Sequence, residues 1–280
     1  MTTDWIRRWP SVEGVERLAA RLVARGYDRH RHDTYTICVT LAGMQCFDYR
    51  GATRRSGPGD VVVLHPDEVH DGRPGDADGF AYAAVYVAPS RIAEALRAVG
   101  ARATPLPFAR DAITRNPRLA ASVREALGAG AEPLAMDAIV LGLAEGLAQE
   151  DATSARAVPS PRFDRRAVER ARDWLDAAAP GTLSAARLEA VCGLSRFDLA
   201  RQFRLAYGTS PHRYAIMRRL DVAQRRLLAG QSPAAAAAGA GFADQAHLTR
   251  QFRAAFGVTP GRFVALALAG RRMPEPVLPP

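Results

Sequence analysis

Arginine, glutamine and phenylalanine recur at fixed spacing near the end of this chain, in a pattern suited to gripping a polyanion. Residues 199–214 read LARQFRLAYGTSPHRY and residues 248–263 read LTRQFRAAFGVTPGRF, a constant offset of 49 residues. Nine of the sixteen aligned positions are identical, and others swap like for like, such as Tyr207 with Phe256, Ser210 with Thr259 and Tyr214 with Phe263. Arg201 and Arg250 are equivalent, and a guanidinium fork fits a guanine edge or a phosphate. Gln245 carries an amide that pairs with adenine, and Phe197 an apolar ring that can touch a thymine methyl. Two copies of one short basic helix suit two equivalent sites on a long, regular ligand, and DNA is the candidate.

Those side chains need a scaffold, and the caps along the same stretch imply one. Ser184 opens a short helix that ends near Cys192-Gly193. Ser195, three residues before Asp198, caps the next helix, which stops at Gly208 with Pro211 just beyond. A long helix then runs through Met217, Leu220 and Leu227 to Gly230. Ser232-Pro233 begins another short helix, and Asp244 caps the second basic helix, which stops at Gly257. Each copy is therefore short helix, tight turn, longer basic helix, the helix-turn-helix plan, in which the second helix enters the major groove. Arg196, Phe197, Ala200 and Arg201 face outward on the first copy, and Gln245, Ala246, His247 and Arg250 on the second. Leu199, Phe203, Leu248 and Phe252 face inward as core. Arg204, Arg213, Arg253 and Arg262 lie further along, where they would meet backbone phosphates.

The basic surplus is local. From Arg162 onward nineteen arginines face nine acids, whereas residues 1–161 carry nineteen arginines against twenty acids. The net charge of +9 thus belongs to the part with the repeat. That points to a polyanion partner there and excludes a generally sticky protein. No lysine occurs, a bias that fits a GC-rich genome together with the abundant alanine. Three cysteines, odd in number and without a CxxC pair, predict a reducing, cytoplasmic setting. The start, MTTDWIRRWP, lacks the apolar core of a signal peptide. The longest apolar stretch, Leu134 to Ala148, is broken by Asp137 and Glu145 and is too short to span a bilayer, so no membrane partner is expected.

Ahead of the repeat the texture differs. TYTICVTL, QCFDYR, DVVVL and FAYAAVYV are short β-rich runs between Gly, Pro and Asp turns, and they predict an antiparallel sandwich or barrel. From Pro89 the periodicity is helical, with helices at 112–128 and 133–149 in which Ile139, Leu143 and Leu147 stack at four-residue spacing. DATSARAVPSPR, residues 151–162, reads as a linker. The predicted fold class is α+β multidomain: an N-terminal antiparallel β-barrel followed by helices, then an all-α portion with two helix-turn-helix units. The layout is a β domain at 1–100, a helical region at 101–150, the linker, a DNA-binding domain at 163–270 and a tail at 271–280.

GFADQAHLTRQFRAAFGVTPGRF, residues 241–263, resembles the signature of AraC/XylS-type transcriptional regulators, and LSRFDLARQFRLAYGTSPHRY, 194–214, resembles its first-copy counterpart. The resemblance covers about Leu183 to Phe263. It implies two units, joined by a long helix, that read successive major-groove faces of one double-stranded DNA site. The base-facing positions it implies are Phe197, Ala200 and Arg201, then Gln245, Ala246, His247 and Arg250. Pro233, Ala236 and Ala240 depart from the larger aliphatics common there, and the smaller buried area predicts a softer second unit.

His30-Arg31-His32 and PGDVVVLHPDEVHDG, residues 58–72, resemble the two cupin motifs of such regulators' sensing domains. The β-barrel is accordingly expected to be cupin-like and to bind a small-molecule effector. In metal-bearing cupins the site would fall on His30, His32 and His70, but Thr36 and Ile37 stand where its carboxylate belongs. Three imidazoles are enough to hold a divalent metal with open positions. With the carboxylate missing, the expected cofactor is none. His30, His32 and His70, with Tyr35, are expected instead to line an effector pocket at the barrel mouth, beside Arg31. A purely structural role for these histidines stays open, as does the role of His65. The helices at 112–128 and 133–149 resemble the region by which family members dimerise; the Ile139 ridge suits a partner helix in a homodimer or the chain's own barrel. The function implied is a ligand-responsive, sequence-specific bacterial transcriptional regulator, activator or repressor, without enzymatic activity. An activator would also contact RNA polymerase. The alternative is a cupin-type metalloenzyme with a nucleic-acid-binding appendage, and a third reading is an architectural DNA binder without sequence preference.

Overall fold

The computed structural model describes residues 4–271, except 13, 100–105, 130–132, 152–162 and 178–184. The first part holds β1 (Trp5–Arg8), β2 (Val15–Leu22), β3 (Tyr27–His30), β4 (Tyr35–Gly43), β5 (Gln45–Tyr49), β6 (Ala52–Ser56), β7 (Val61–Leu64), β8 (His70–Pro74) and β9 (Phe80–Val87). After it come α1 (Pro89–Ala98), β10 (Ile113–Thr114), α2 (Pro117–Gly128) and α3 (Pro133–Gln149). The rest is helical: α4 (Arg165–Ala177), α5 (Ala185–Cys192), α6 (Arg196–Tyr207), α7 (Pro211–Leu228), α8 (Pro233–Gly239), α9 (Gln245–Phe256) and α10 (Pro260–Gly270). Among the described residues no helix is long and apolar enough to cross a membrane.

Two antiparallel sheets make the β domain, one in the order β1-β2-β9-β4-β7-β10 and one in the order β3-β8-β5-β6. No ladder joins them among the described residues, so the expected barrel is an open two-sheet sandwich. Strand alternation divides the larger sheet between two cores. Ile37, Val39, Val61, Val63, Val85 and Val87 turn toward α1–α3, where Leu119, Val123, Leu143 and Leu147 cover them. Cys38, Val62, Leu64, Tyr82 and Ala84 turn the other way and meet Phe47 and Tyr49 of the smaller sheet. Burial on both faces is why DVVVL is an unbroken apolar run and not an alternating one.

Three readings meet the structure here, the first of them the Ile139 ridge, which the sequence left open between a partner helix and the chain's own barrel. Ile139, Leu143 and Leu147 belong to the core under the larger sheet, so that ridge is used within the chain and is not open to a partner helix. For the same reason α2 and α3 share the core of the β domain, and residues 101–150 do not form a separate region. The helix expected from 112 starts at Pro117: Ile113 and Thr114 pair with Val62 and Val61 as an edge strand. Asn116 then caps α2 by accepting from the amides of Arg118 and Leu119. The linker beyond Asp151, the cap at Ser184 and the tail after Arg271 lie outside the described residues.

In the helical half, α4, α5 and α6 bury Val168, Leu175, Leu188, Leu199, Phe203 and Tyr207 together. The α7–α10 group buries Met217, Leu220, Leu227, Leu248, Phe252 and Phe263. The long α7 serves both units, with Ala215 in the first core and Ile216 onward in the second. Ser195 and Asp244 cap the two basic helices by accepting from the amides of Asp198 and His247. Gly208 and Gly257 end them at φ 70° and 66°, the left-handed conformation that favours glycine. Ser210 and Thr259, equivalent in the repeat, cap α7 and α10 in the same way. Ala236, Ala237 and Ala240 are fully buried, so the second unit closes its core with small side chains.

Arg17 ties the β domain to its helices. It is wholly buried on β2 and donates to the carbonyls of Ala126, Ala129 and Pro10. A guanidinium there satisfies carbonyls that α2 leaves open at its end and opposes the helix dipole. Arg17→Ala is expected to cost about 2–4 kcal/mol, because helix-end carbonyls lose charge-assisted bonds inside the core. Urea unfolding of the full chain measures this, and a loss below ~1 kcal/mol would discount the role.

Candidate functional site

The first half of each basic helix is open to solvent. On α6, Arg196, Phe197, Ala200 and Arg201 are exposed, while Leu199 and Phe203 are buried. Phe197 is 73% exposed, a large apolar cost for a side chain with no internal partner to cover it. The Arg196 guanidinium rests 5.0 Å from its ring centre, and Arg201 lies 3.4 Å from Asp198. On α9, Gln245, Ala246 and Arg250 are exposed, with Leu248 and Phe252 buried. His247 is only half-exposed, since its ring packs edge-on against Phe242 at 5.4 Å. All eight residues predicted to read bases thus lie toward the N-terminal ends of α6 and α9, as groove entry requires.

The four arginines predicted to meet phosphates are placed differently. Each engages an acceptor of the β domain. Arg204 reaches the Asp67 carboxylate at 3.4 Å, and Arg213 donates to the Arg31 carbonyl. Arg253 bonds the Asp28 carboxylate at 2.6 Å, and Arg262 donates to the Gly26 carbonyl at 3.0 Å. Burial works to raise the Asp28 pKa, but Arg253 and Arg25 outweigh it and hold the carboxyl below its ordinary value.

Between the two halves lies a cavity of about 110 Å³. The β domain contributes Tyr27, His30, His32, Asp33, Thr36, His70, Tyr82 and Tyr86, and α7, α9 and α10 contribute Met217, Arg218, Asp221, Phe256 and Phe263. At its polar end three histidines converge, their ligating nitrogens within 4.8 Å of one another. The Nδ1 of each lies on a backbone carbonyl two residues away: His30 on Asp28 at 2.7 Å, His32 on Thr34 at 3.1 Å and His70 on Glu68 at 3.0 Å. A carbonyl only accepts, so each Nδ1 carries the proton and each Nε2 keeps its lone pair. Burial lowers the pKa of all three rings; for His30 and His32 neighbouring imidazoles add to it. The cluster is therefore neutral; the Thr36 hydroxyl, 3.0 Å away, donates to His32 Nε2, leaving the Nε2 lone pairs of His30 and His70 as its chemistry.

Charge on the walls is net negative: Arg8 and Arg218 against Glu16, Asp33, Asp71 and Asp221. Arg218 bonds Asp33 at 2.9 Å and approaches Asp221 at 3.2 Å. Burial pushes both carboxyls up, against the pull of Arg218, with Asp221 at about 7.

Two family models match this chain. One, described as an AraC-like ligand binding domain, covers residues 13–144, and the other, a helix-turn-helix domain, covers residues 188–265. An uncharacterized HTH-type transcriptional regulator of Bacillus subtilis, YbfI, is 24% identical over 239 residues, 84% of this chain and 86% of that protein. Among solved structures, an apo ToxT variant from Vibrio cholerae aligns over 93% of this chain and all of its own, with TM-score 0.65 and 9% identity. A ToxT with bound unsaturated fatty acid aligns over 94% and 95% of the two chains, with TM-score 0.60 and 9% identity. This chain belongs to the AraC-type transcriptional regulators. It is a ligand-responsive, DNA-binding regulator, whose ligand-binding match falls on the sandwich with α1–α3 and whose helix-turn-helix match runs from α5 into α10.

In this AraC-type chain, one predicted pocket residue is out of place. Tyr35 is buried on the opposite face of β4, its hydroxyl donating to the Pro107 carbonyl at 2.7 Å. The reason is parity: Thr36 and Cys38 face the cavity, so Tyr35 and Ile37 cannot. His65 is also apart from the cluster, packed between Tyr35 and Phe108. Glu16, Asp33, Arg218 and Asp221 were not foreseen as cavity residues. Nothing in the sequence pairs position 33 with 218; only docking of α7 does.

His65 is buried and held neutral, its pKa lowered to about 4 by burial first and Arg50 second. A base whose folded pKa is depressed contributes stability above its unfolded value of 6.5, and that contribution is lost as pH falls toward 4. The wild type is expected to lose up to about 3 kcal/mol more than a His65→Phe variant between pH 7 and pH 4. Parallel pH profiles of urea unfolding test this; identical slopes for the two proteins would contradict it.

Proposed function

We propose that a small effector occupies the cavity between the halves and thereby sets how α6 and α9 are presented to two successive major-groove segments. The observation that carries this is the origin of the cavity walls: they come from both halves, so an occupant distinguishes one arrangement of them from another, as ligand-driven switching requires. Arg196, Phe197, Ala200 and Arg201, with Gln245, Ala246, His247 and Arg250, would read bases. The mismatch between Phe197-Asp198 and Ala246-His247 makes the site asymmetric within one chain. An effector of this cavity is small and donates hydrogen bonds to imidazole nitrogens. The net negative walls argue against an anionic effector. The fatty acid of ToxT is a property of that protein.

A cytoplasmic location and the absence of catalysis go with this reading. So does contact with RNA polymerase in an activator. A homodimer would use a face other than the Ile139 ridge. If α6 and α9 read bases, Arg201→Ala and Arg250→Ala each weaken binding to an operator fragment selected by the wild type. About 1–3 kcal/mol per variant is expected, with relaxed preference at one base pair. Titration by fluorescence anisotropy checks this, and both variants binding as tightly as the wild type would sink the assignment.

The histidine geometry favours a second occupant, a divalent cation on His30, His32 and His70. Each ring is already oriented by its carbonyl bond, the outer-shell arrangement that metal-binding imidazoles use. Thr36 offers no carboxylate, so a bound ion would keep open positions. Calorimetric titration with Zn²⁺ is expected to give one equivalent per chain, lost in a His30→Gln, His70→Gln variant. Equal binding by that variant would eliminate the cation reading and leave the small molecule.

A further inference from the structure

We propose that the β-domain face made of residues 25–33 and 66–67 imitates a DNA backbone, holding the duplicated arginines until phosphates take them. The inference rests on the DNA-binding reading above and names how that activity is restrained.

The repeat itself carries the argument. Arg204 and Arg253 are equivalent at the 49-residue offset, as are Arg213 and Arg262, and Gly208 and Gly257. All six positions meet the β domain. A Cβ on Gly208 would lie 2.6 Å from Pro66, and one on Gly257 would lie 2.7 Å from the Asp28 carbonyl oxygen. The hydrogen bonds of these arginines there go to the Asp67 carboxylate and the Arg31 carbonyl for the first unit and to the Asp28 carboxylate and the Gly26 carbonyl for the second, with Arg25 and Arg31 as cations of the same face. Negative oxygens at the ends of two homologous helices are what a phosphate backbone offers to the same residues.

Backbone pairing deepens the contact on the second unit. The amides of Asp28 and Arg31 donate to the carbonyls of Gly257 and Ala254, at 2.9 and 3.0 Å. Those carbonyls close α9 and have no amide of their own helix to accept from. The grip is nevertheless weak enough to be exchanged. Arg204 and Arg253 keep more than half of their side-chain surface in water. Arg25 and Arg31 also share the carboxylates of Asp28 and Asp67, diluting the hold on each. The guanidiniums stay in water even where, as at Asp67, the carboxylate is buried, so each pair is screened from the arginine side and a phosphate can compete for the arginine.

Backbone contacts are blind to sequence, so a labelled mixed-sequence duplex of roughly 40 base pairs is the probe, with the full chain. Asp28→Asn with Asp67→Asn removes the mimic's charge and touches no DNA-reading residue. Asn tolerates the φ of 61° at position 67. The double variant is expected to bind the duplex roughly three- to ten-fold more tightly than the wild type at equal salt. Arg204→Ala and Arg253→Ala are expected to bind more weakly, each reducing the slope of log K against log salt by about 1. In the wild type, saturating duplex should speed hydrogen exchange at the Asp28 and Arg31 amides. No tightening in the double variant, unchanged salt slopes in the arginine variants, or amides that stay protected would each overturn the proposal. If the duplex results hold while Arg201→Ala and Arg250→Ala retain operator preference, base reading fails and the mimic stands. A wild type that binds no duplex defeats both.

Discussion

Helix α9 ends with open carbonyls, and the amides of β3 and its following loop close them. Much of the arrangement depends on that junction. It sets the second helix-turn-helix unit against the β domain, and it draws Phe256, Val258 and Phe263 over the mouth of the sandwich. Because α9 is twelve residues long, its reading end stands roughly 18 Å from its anchored end on one rigid rod. A tilt at the β domain is therefore delivered to Gln245 and Arg250 without any further mechanism. The same rod serves two partners, one at each end.

The cavity is a by-product of that docking and a constraint upon it. Without α7 and α9 the three histidines would open to water, and burial would no longer hold them neutral. Without the histidines, the polar end of the cavity would lose its cluster of imidazole nitrogens. Asp33 and Arg218 stitch the two sides next to this cluster, so an occupant that displaces either one changes the interface directly. On the proposed reading, ligand sensing and domain docking share one set of atoms.

Local physics was legible early. Ser195, Asp244, Gly208 and Gly257 announce their roles because caps and left-handed stops depend on a few neighbouring residues. Leu199, Phe203, Leu248 and Phe252 announce theirs by spacing. The histidines were grouped by resemblance, and the fold brings their rings together. Tyr35 was misplaced by a single step along a strand, because composition does not reveal which parity faces the cavity. The Ile139 ridge was ambiguous for a related reason: amphipathic periodicity shows that a face is covered, not by what.

What the sequence alone determined is the content of each unit: two helix-turn-helix copies with outward Arg, Gln and Phe, a β domain, and histidines able to meet. Those follow from interactions within a dozen residues, from repetition at a fixed offset or, for the histidines, from resemblance. Only the tertiary structure decided that Arg204, Arg213, Arg253 and Arg262 face the β domain, that Asp33 meets Arg218, and that the cavity has walls from both halves. Such pairings join positions up to 236 residues apart, and an exposed arginine reads identically whether its oxygen belongs to a phosphate or to Asp28. The type of partner was written in the chain; its identity depends on which surface arrives there first.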